Sequence, residues 1–151
     1  MSTRIDIYKH ATEPYKGMLS VNSYLHDCSL PAAMIELVFL RVSQINGCAY
    51  CIDKHSRDLL KGGMTIDKLV LVPVWHEAGS LFSPREQAAL GWAEAVTRID
   101  RTGASDADYE SVILHFNERE YADLTIAVSL MNGLNRLGIS GRLAPAAAAK
   151  D

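Results

Sequence analysis

Helical spacing between well-placed prolines constrains this chain more than any other feature. Prolines stand at positions 14, 31, 73, 84 and 145. Proline is accepted in the first turn of a helix and breaks its interior, because it lacks an N–H and its ring clashes with the preceding turn. Between these markers, apolar residues recur three and four apart. In Ala32 to Ile45, residues Ile35, Val38, Phe39 and Val42 share one helical face while Leu37 and Leu40 fill others. This helix is therefore expected to be buried nearly all round. Gly47 interrupts the run. A second helix is expected from near Cys48 to Lys61, stopped by Gly62 and Gly63, and a short one capped by Thr65 reaches Leu71. Ser83, Pro84 and Glu86 place a capping serine, a proline at the first position and a glutamate at the third. The helix they open should carry Ala89, Trp92, Ala93 and Val96 on one face and end before Gly103. Ser105, with Asp106 and Asp108 at the positive end of the helix dipole, opens another. Asn117 and Glu120 begin the last long one, through Leu124, Ala127, Val128 and Met131 towards Leu137.

The best candidate strand, Val70 to Val74, contains Pro73, which argues against a central strand. No internal repeat is visible. The expected fold is all-α, one domain over residues 1–151 with roughly six or seven helices. Its core should lie at about 14–139, and the alanine-rich tail from Ala144 to Asp151 is expected to fray. A chain of 151 residues is long enough to bury a real core.

Composition excludes several function classes. The net charge is -3, without a basic block, which argues against nucleic acid as a partner. The longest apolar run, Leu69 to Trp75, is far too short to span a bilayer and contains a proline. Met1 to His10 alternates charged and apolar residues and has no signal-like core, so the cytosol is the default compartment. Three cysteines, an odd number with two of them three positions apart, do not make a secreted disulfide framework. Cys28 stands alone in a partly apolar segment and reads as a small buried hydrophobe.

The remaining pair carries the chemistry. In a helix that begins at Cys48, residues Cys48, Cys51 and His55 fall at i, i+3 and i+7 and share a face. An imidazole one turn beyond Cys51 can act on its proton, and the helix amino end favours thiolate near Cys48. The effect is large enough to matter. A thiol of ordinary pKa is about 3% ionised at neutral pH, and lowering that pKa to about 7 raises the fraction to roughly half. Two thiols at this spacing can also close a disulfide locally, so that oxidation of one is resolved by the other. Glu36 lies twelve residues before Cys48 on the apolar helix. A buried lone carboxylate is costly, and two solutions stand open: a hydrogen bond to His55 across the helix pair, or emergence at the helix edge.

A zinc site built from Cys48, Cys51 and His55, with Cys28 or Asp53 as fourth ligand, lacks the second close pair usual in structural sites. Covalent haem attachment needs a histidine where Ile52 stands, and a thioredoxin fold needs strands around the motif. His76-Glu77 begins like a zinc-protease motif, but the required second histidine is replaced by Ser80. His26 and His115 read as surface or satisfied core residues, Trp75 and Trp92 as packing residues or oligomer contacts.

Glu36, Cys48-X-X-Cys51 and His55, set in Asn46-Gly47-Cys48-Ala49-Tyr50-Cys51 and His55-Ser56-Arg57, resemble the motif of the AhpD-like alkyl hydroperoxidases of the carboxymuconolactone decarboxylase family. Phe82-Ser83-Pro84-Arg85-Glu86 and Asn132-Gly133-Leu134-Asn135-Arg136 extend the resemblance over about Pro14 to Ile139. It implies an all-α fold in trimers or hexamers. It further implies that Cys51 attacks a hydroperoxide, Cys48 resolves the product, and His55 and Glu36 relay the proton. No organic cofactor and no metal is required, and a dithiol reductant of lipoyl type reopens the disulfide. The founding peroxidase has a histidine before its second cysteine, whereas this chain has Tyr50, whose ordinary pKa of about 10 bars it from acting as a base near neutral pH. Two further expectations stand beside the peroxidase: a dithiol redox or stress-sensing module that does not turn over peroxide, and a decarboxylase-like enzyme.

Overall fold

The computed structural model describes residues 4–148. Among them the chain is helical and contains no strand. The helices are α1 (Ile7–His10), α2 (Thr12–His26), α3 (Ala32–Asn46), α4 (Ala49–Lys61), α5 (Ile66–Leu71), α6 (Pro84–Thr97), α7 (Ile99–Thr102), α8 (Asp106–Ile113) and α9 (Glu118–Gly141). Short 3-10 turns cover Val72–Glu77, Gly79–Leu81 and Ala146–Ala148.

The sequence signals act where they stand. Ser83 and Asn117 close reciprocal capping boxes with Glu86 and Glu120, satisfying backbone N–H groups that a helix start leaves open. Ser105 does the same with Asp108, and Thr65 accepts from the Lys68 N–H. Gly47 ends α3 in the left-handed conformation, with φ of 73°, where a Cβ would be strained.

Helix α3 is the central element and packs against α4, α6 and α9. Every residue from Leu37 to Ser43 is buried, so it runs through the core rather than along its edge. One of its faces joins Leu25 of α2, Trp92 of α6, Val112 of α8 and Leu124 of α9 in the larger apolar cluster. Leu37 and Leu40 face the other way, into a smaller cluster with Leu59, Leu69, Val72, Trp75 and Phe82. The arginine on α3 is buried as an ion pair, Arg41 to Glu94 at 2.7 Å, and Glu94 also accepts from the Trp75 indole at 2.9 Å. Trp92 donates to Thr125 at 3.0 Å. Both tryptophans are core residues.

Three local features have physical causes. Val70 to Val74 is not extended: it passes from α5 into a 3-10 turn, because Pro73 suits the first turn of a helix and offers no N–H to a sheet. His76 and Glu77 belong to that turn. The helix opened by Ser83 breaks at Arg98 (φ −104°, ψ 37°) and resumes as α7 before Gly103. The Thr102 hydroxyl closes this corner by donating to the Ala95 carbonyl at 2.6 Å. In the alanine-rich tail, Ala146–Ala148 forms a turn, and the Ala147 N–H donates to Asp53 at 3.3 Å. Residues 149–151, also expected to fray, lie outside the described residues.

Candidate active site

The candidate site is built where α3 hands over to α4. The left-handed turn at Gly47 folds the chain back, and the Cys48 N–H donates to the Ser43 carbonyl at 3.0 Å. Cys48 therefore sits just outside α4, as its N-cap, and not in its first turn. Its sulfur accepts from the Cys51 N–H at 3.4 Å. The two sulfurs are joined in a disulfide, with Cα atoms 5.3 Å apart. Cys51, His55 and Leu59 follow at intervals of four and form the buried face of α4.

Glu36, projecting from α3, meets His55 across the helix pair, with its carboxylate oxygen 2.7 Å from Nδ1. A carboxylate only accepts, so Nδ1 carries the hydrogen and Nε2 is the nitrogen left open. The His55 side chain is 5% exposed and that of Glu36 12%. Phe39 meets the imidazole edge-on, with ring centres 5.2 Å apart, which fixes the ring plane.

A cavity of about 130 Å³ opens onto Cys51 and His55. Its walls are largely apolar, with Tyr15 and Leu19 of α2, Met131 and Leu134 of α9, and Leu143 beyond it. Tyr50 lines it as a half-exposed side chain. Burial, with the neighbouring Tyr50 and Asp6, raises the Tyr15 phenol above its ordinary pKa, so it stays protonated at neutral pH. Cys51 borders this cavity, whereas Cys48, only 1% exposed, lies behind it.

The structure thus brings all four expected residues together. It adds others that sequence reasoning passed over. Gly138 of α9 lies against the disulfide: a Cβ there would stand 3.3 Å from the Cys48 sulfur and 3.8 Å from that of Cys51. Asn135 is fully buried and donates to the Ser43 hydroxyl at 3.0 Å, and its carbonyl oxygen accepts from Asn46 at 3.0 Å. Asn46 also donates to Asn132 at 3.0 Å. The sequence held a signal for the asparagines, in the two motifs that flank them, but none for their contact.

Among the described residues, the side chains close enough to share one metal ion are Glu36, His55 and Asp58, with ligand atoms within 4.8 Å of one another. Neither cysteine belongs to that group. Asp53 is engaged by Arg57 at 2.8 Å, and Cys28 sits beside the Leu30 N–H. The zinc site that the sequence reading disfavoured, with Asp53 or Cys28 as fourth ligand, is not among the groups whose ligand atoms come together.

The model of the carboxymuconolactone decarboxylase family matches residues 13–95, more than half of the chain. The uncharacterized protein YdfG of Bacillus subtilis is 36% identical over 140 residues, covering 93% of this chain and 95% of that one. The chain is an AhpD-like member of the carboxymuconolactone decarboxylase family. Within the family, a solved structure from Agrobacterium tumefaciens superposes with a TM-score of 0.91 at 34% identity, covering 95% of this chain and 98% of that one. That protein is of unknown function and is proposed to be an antioxidant defence protein AhpD. An uncharacterized peroxidase-related protein from Silicibacter sp. TM1040 shares the fold, with a TM-score of 0.79 at 21% identity over 91% of this chain and 72% of that one. The family's scaffold is thus shared, and on it this chain carries the Cys48–Cys51 pair. No helix among the described residues is long and apolar enough to cross a membrane.

Proposed function

We propose that the chain is a thiol-dependent hydroperoxide reductase. The observation that carries this reading is the placement of Cys51. It is the sulfur of the pair that borders the cavity, beside an imidazole whose far side is held by Glu36 at 2.7 Å. Cys51 is the attacking thiol, Cys48 the resolving thiol, His55 the base and Glu36 the group that orients and recharges it. His55 takes the Cys51 proton, and the thiolate attacks the terminal peroxide oxygen. The O–O bond breaks, the alcohol leaves with the proton held by His55, and Cys51 becomes a sulfenic acid. Attack by Cys48 then expels water and closes the disulfide. An external dithiol reopens the disulfide and is itself oxidised to a disulfide. The apolar walls favour an organic hydroperoxide, and the Agrobacterium neighbour's proposed antioxidant role supports the same class. A lipoyl-type reductant, association into trimers or hexamers and a cytosolic setting complete the reading.

The test is consumption of tert-butyl hydroperoxide by purified protein with a dithiol, beside Cys51→Ser and Cys48→Ser. Turnover is expected to disappear in Cys51→Ser, and sulfenic acid to be trappable in Cys48→Ser. Equal, negligible rates in all three would refute the peroxidase and leave the dithiol switch. Turnover of a lactone acid that survives both substitutions would point to decarboxylase chemistry instead.

A further inference from the structure

The sulfur cavity is small for a substrate site. A dry cavity of roughly 150 Å³ takes one benzene ring, so the space of about 130 Å³ beside Cys51 takes a head of about six carbons. It has a neighbour. A second cavity of about 340 Å³ lies between residues 4–8 and the end of α9. Tyr15 and Leu143 line both cavities. The second falls within the roughly 300–1,000 Å³ usual for small-molecule sites, and the first does not.

The two shared side chains differ in freedom. The Tyr15 ring meets that of Tyr8 edge-on, with centres 5.3 Å apart, which fixes it. Leu143 stands just beyond α9, on the turn that Arg142 makes in the left-handed conformation (φ 54°), and its N–H donates to the Gly138 carbonyl at 3.0 Å. The backbone of Leu143 is thus tied. The residue is 44% exposed, so its side chain can change rotamer without disturbing the core.

Resting on the peroxidase reading, we propose that the two cavities form one elongated site for the hydroperoxide of an unbranched alkyl chain. The peroxide lies at Cys51 and the tail passes Leu143 into the second cavity. The chemistry of that cavity fits a neutral chain. Ile5, Ile7 and Leu137 supply apolar surface. Its two charged groups are of opposite sign, and each is engaged by backbone. Arg4 donates to the Ser140 carbonyl at 3.3 Å, and Asp6 accepts from the Lys9 N–H at 3.1 Å as the cap of α1. Neither sign is in excess, so the cavity does not select an ionic tail. A compact branched group stays in the first cavity and gains nothing from the second, whereas each methylene carried past Leu143 leaves water. Full burial of a methylene strengthens binding about fourfold. With Ile5 and Tyr8 exposed, the second cavity covers the tail on one side, which leaves about twofold per methylene.

The experiment measures how primary alcohols, analogues of the product, protect Cys51 of the reduced protein from iodoacetamide. The series is butanol, hexanol, octanol and decanol, and peptide mass spectrometry identifies the alkylated residue. In wild type the half-protecting concentration is expected to fall about twofold per methylene through decanol. In Leu137→Trp and Ile7→Trp, each of which fills the second cavity, the fall should stop at hexanol. A wild-type plateau beyond hexanol, or no protection at all, would overturn the proposal. So would a wild-type slope that neither variant alters, which would place the tail elsewhere. Turnover of n-butyl and n-decyl hydroperoxide, followed in parallel, keeps the readings apart: consumption of neither refutes the peroxidase, while the alcohols alone decide the tail cavity.

Discussion

Cys48 and Cys51 are the same residue type within one turn of chain, yet their surroundings assign them different work. Cys48 caps α4 and accepts the Cys51 N–H, an arrangement that stabilises negative charge on its sulfur when it is the leaving group. Cys51 has the cavity and the imidazole. Gly138 holds α9 close behind both, and its substitution reports on that approach. Alanine there brings overpacking of about 1–3 kcal/mol against a helix-propensity gain of about 1 kcal/mol. Gly138→Ala is expected to lose up to about 2 kcal/mol in urea unfolding of the oxidised protein. The loss should be smaller after reduction, when the Cys48 side chain can rotate away. An equal loss in both states would show that the contact with the sulfurs is not what the glycine serves. Glu36 resolves in the same terms: its carboxylate is neither at the helix edge nor alone, because His55 hydrogen-bonds it.

At the scale of elements, the join between α3, α4 and α9 decides the site. Its polar core is one network: Asn46 and Asn135 link the last turn of α3 to α9, and Ser43 both receives the Asn135 amide and holds the Cys48 N–H through its carbonyl. Removing Asn135 takes one hydrogen bond from the buried Ser43 hydroxyl, which keeps its bond to the Phe39 carbonyl, and one from the half-buried Asn46 amide, which keeps its bond to Asn132. Each lost bond is worth about 1 kcal/mol, so Asn135→Ala is expected to destabilise the protein by about 2 kcal/mol. It should also weaken the cysteine pair's hold on α4, read as faster alkylation of the reduced thiols in native buffer. A stability loss under 1 kcal/mol would mean that water replaces the amide. Helix starts were legible in the sequence because each is a local event, a side chain meeting a backbone N–H three residues on. The break at Arg98 was not, since the Thr102 to Ala95 bond that closes it belongs to folded geometry.

On the scale of the whole molecule, α3 divides the core into two apolar clusters, and one carboxylate ties the periphery to it. Asp123 of α9, buried, accepts from the Tyr24 hydroxyl at 2.7 Å and from the Ser29 hydroxyl and N–H at 2.6 and 3.2 Å. Burial alone would raise its pKa. The Ser29 and Tyr24 hydrogen bonds, aided by the Arg119 charge, outweigh it and hold the carboxyl below its ordinary value. The ionised form is thus bound more tightly in the folded state. Its contribution is fully present above the unfolded value of about 3.9 and is lost as pH falls through the lower folded value. Below about pH 4, wild-type stability should therefore fall more steeply than that of Asp123→Asn. At pH 7 the variant should be less stable by about 2 kcal/mol, the order of one charged hydrogen bond. Parallel acid limbs in chemical unfolding would remove Asp123 from the account. By itself, the sequence determined the all-α class, the helices α3 to α6, α8 and α9 with the caps of α5, α6, α8 and α9, the burial of α3 and the identity of the four candidate site residues. Helical period, capping and motif spacing are local rules written into consecutive positions. Only the tertiary structure decided that Cys51 and not Cys48 faces the cavity, that Glu36 reaches His55, that α2 supplies Tyr15 and Leu19, and that Gly138 lets α9 against the sulfurs. Those contacts join residues from 19 to 90 positions apart, and their pairing depends on how helices cross, which no local pattern records.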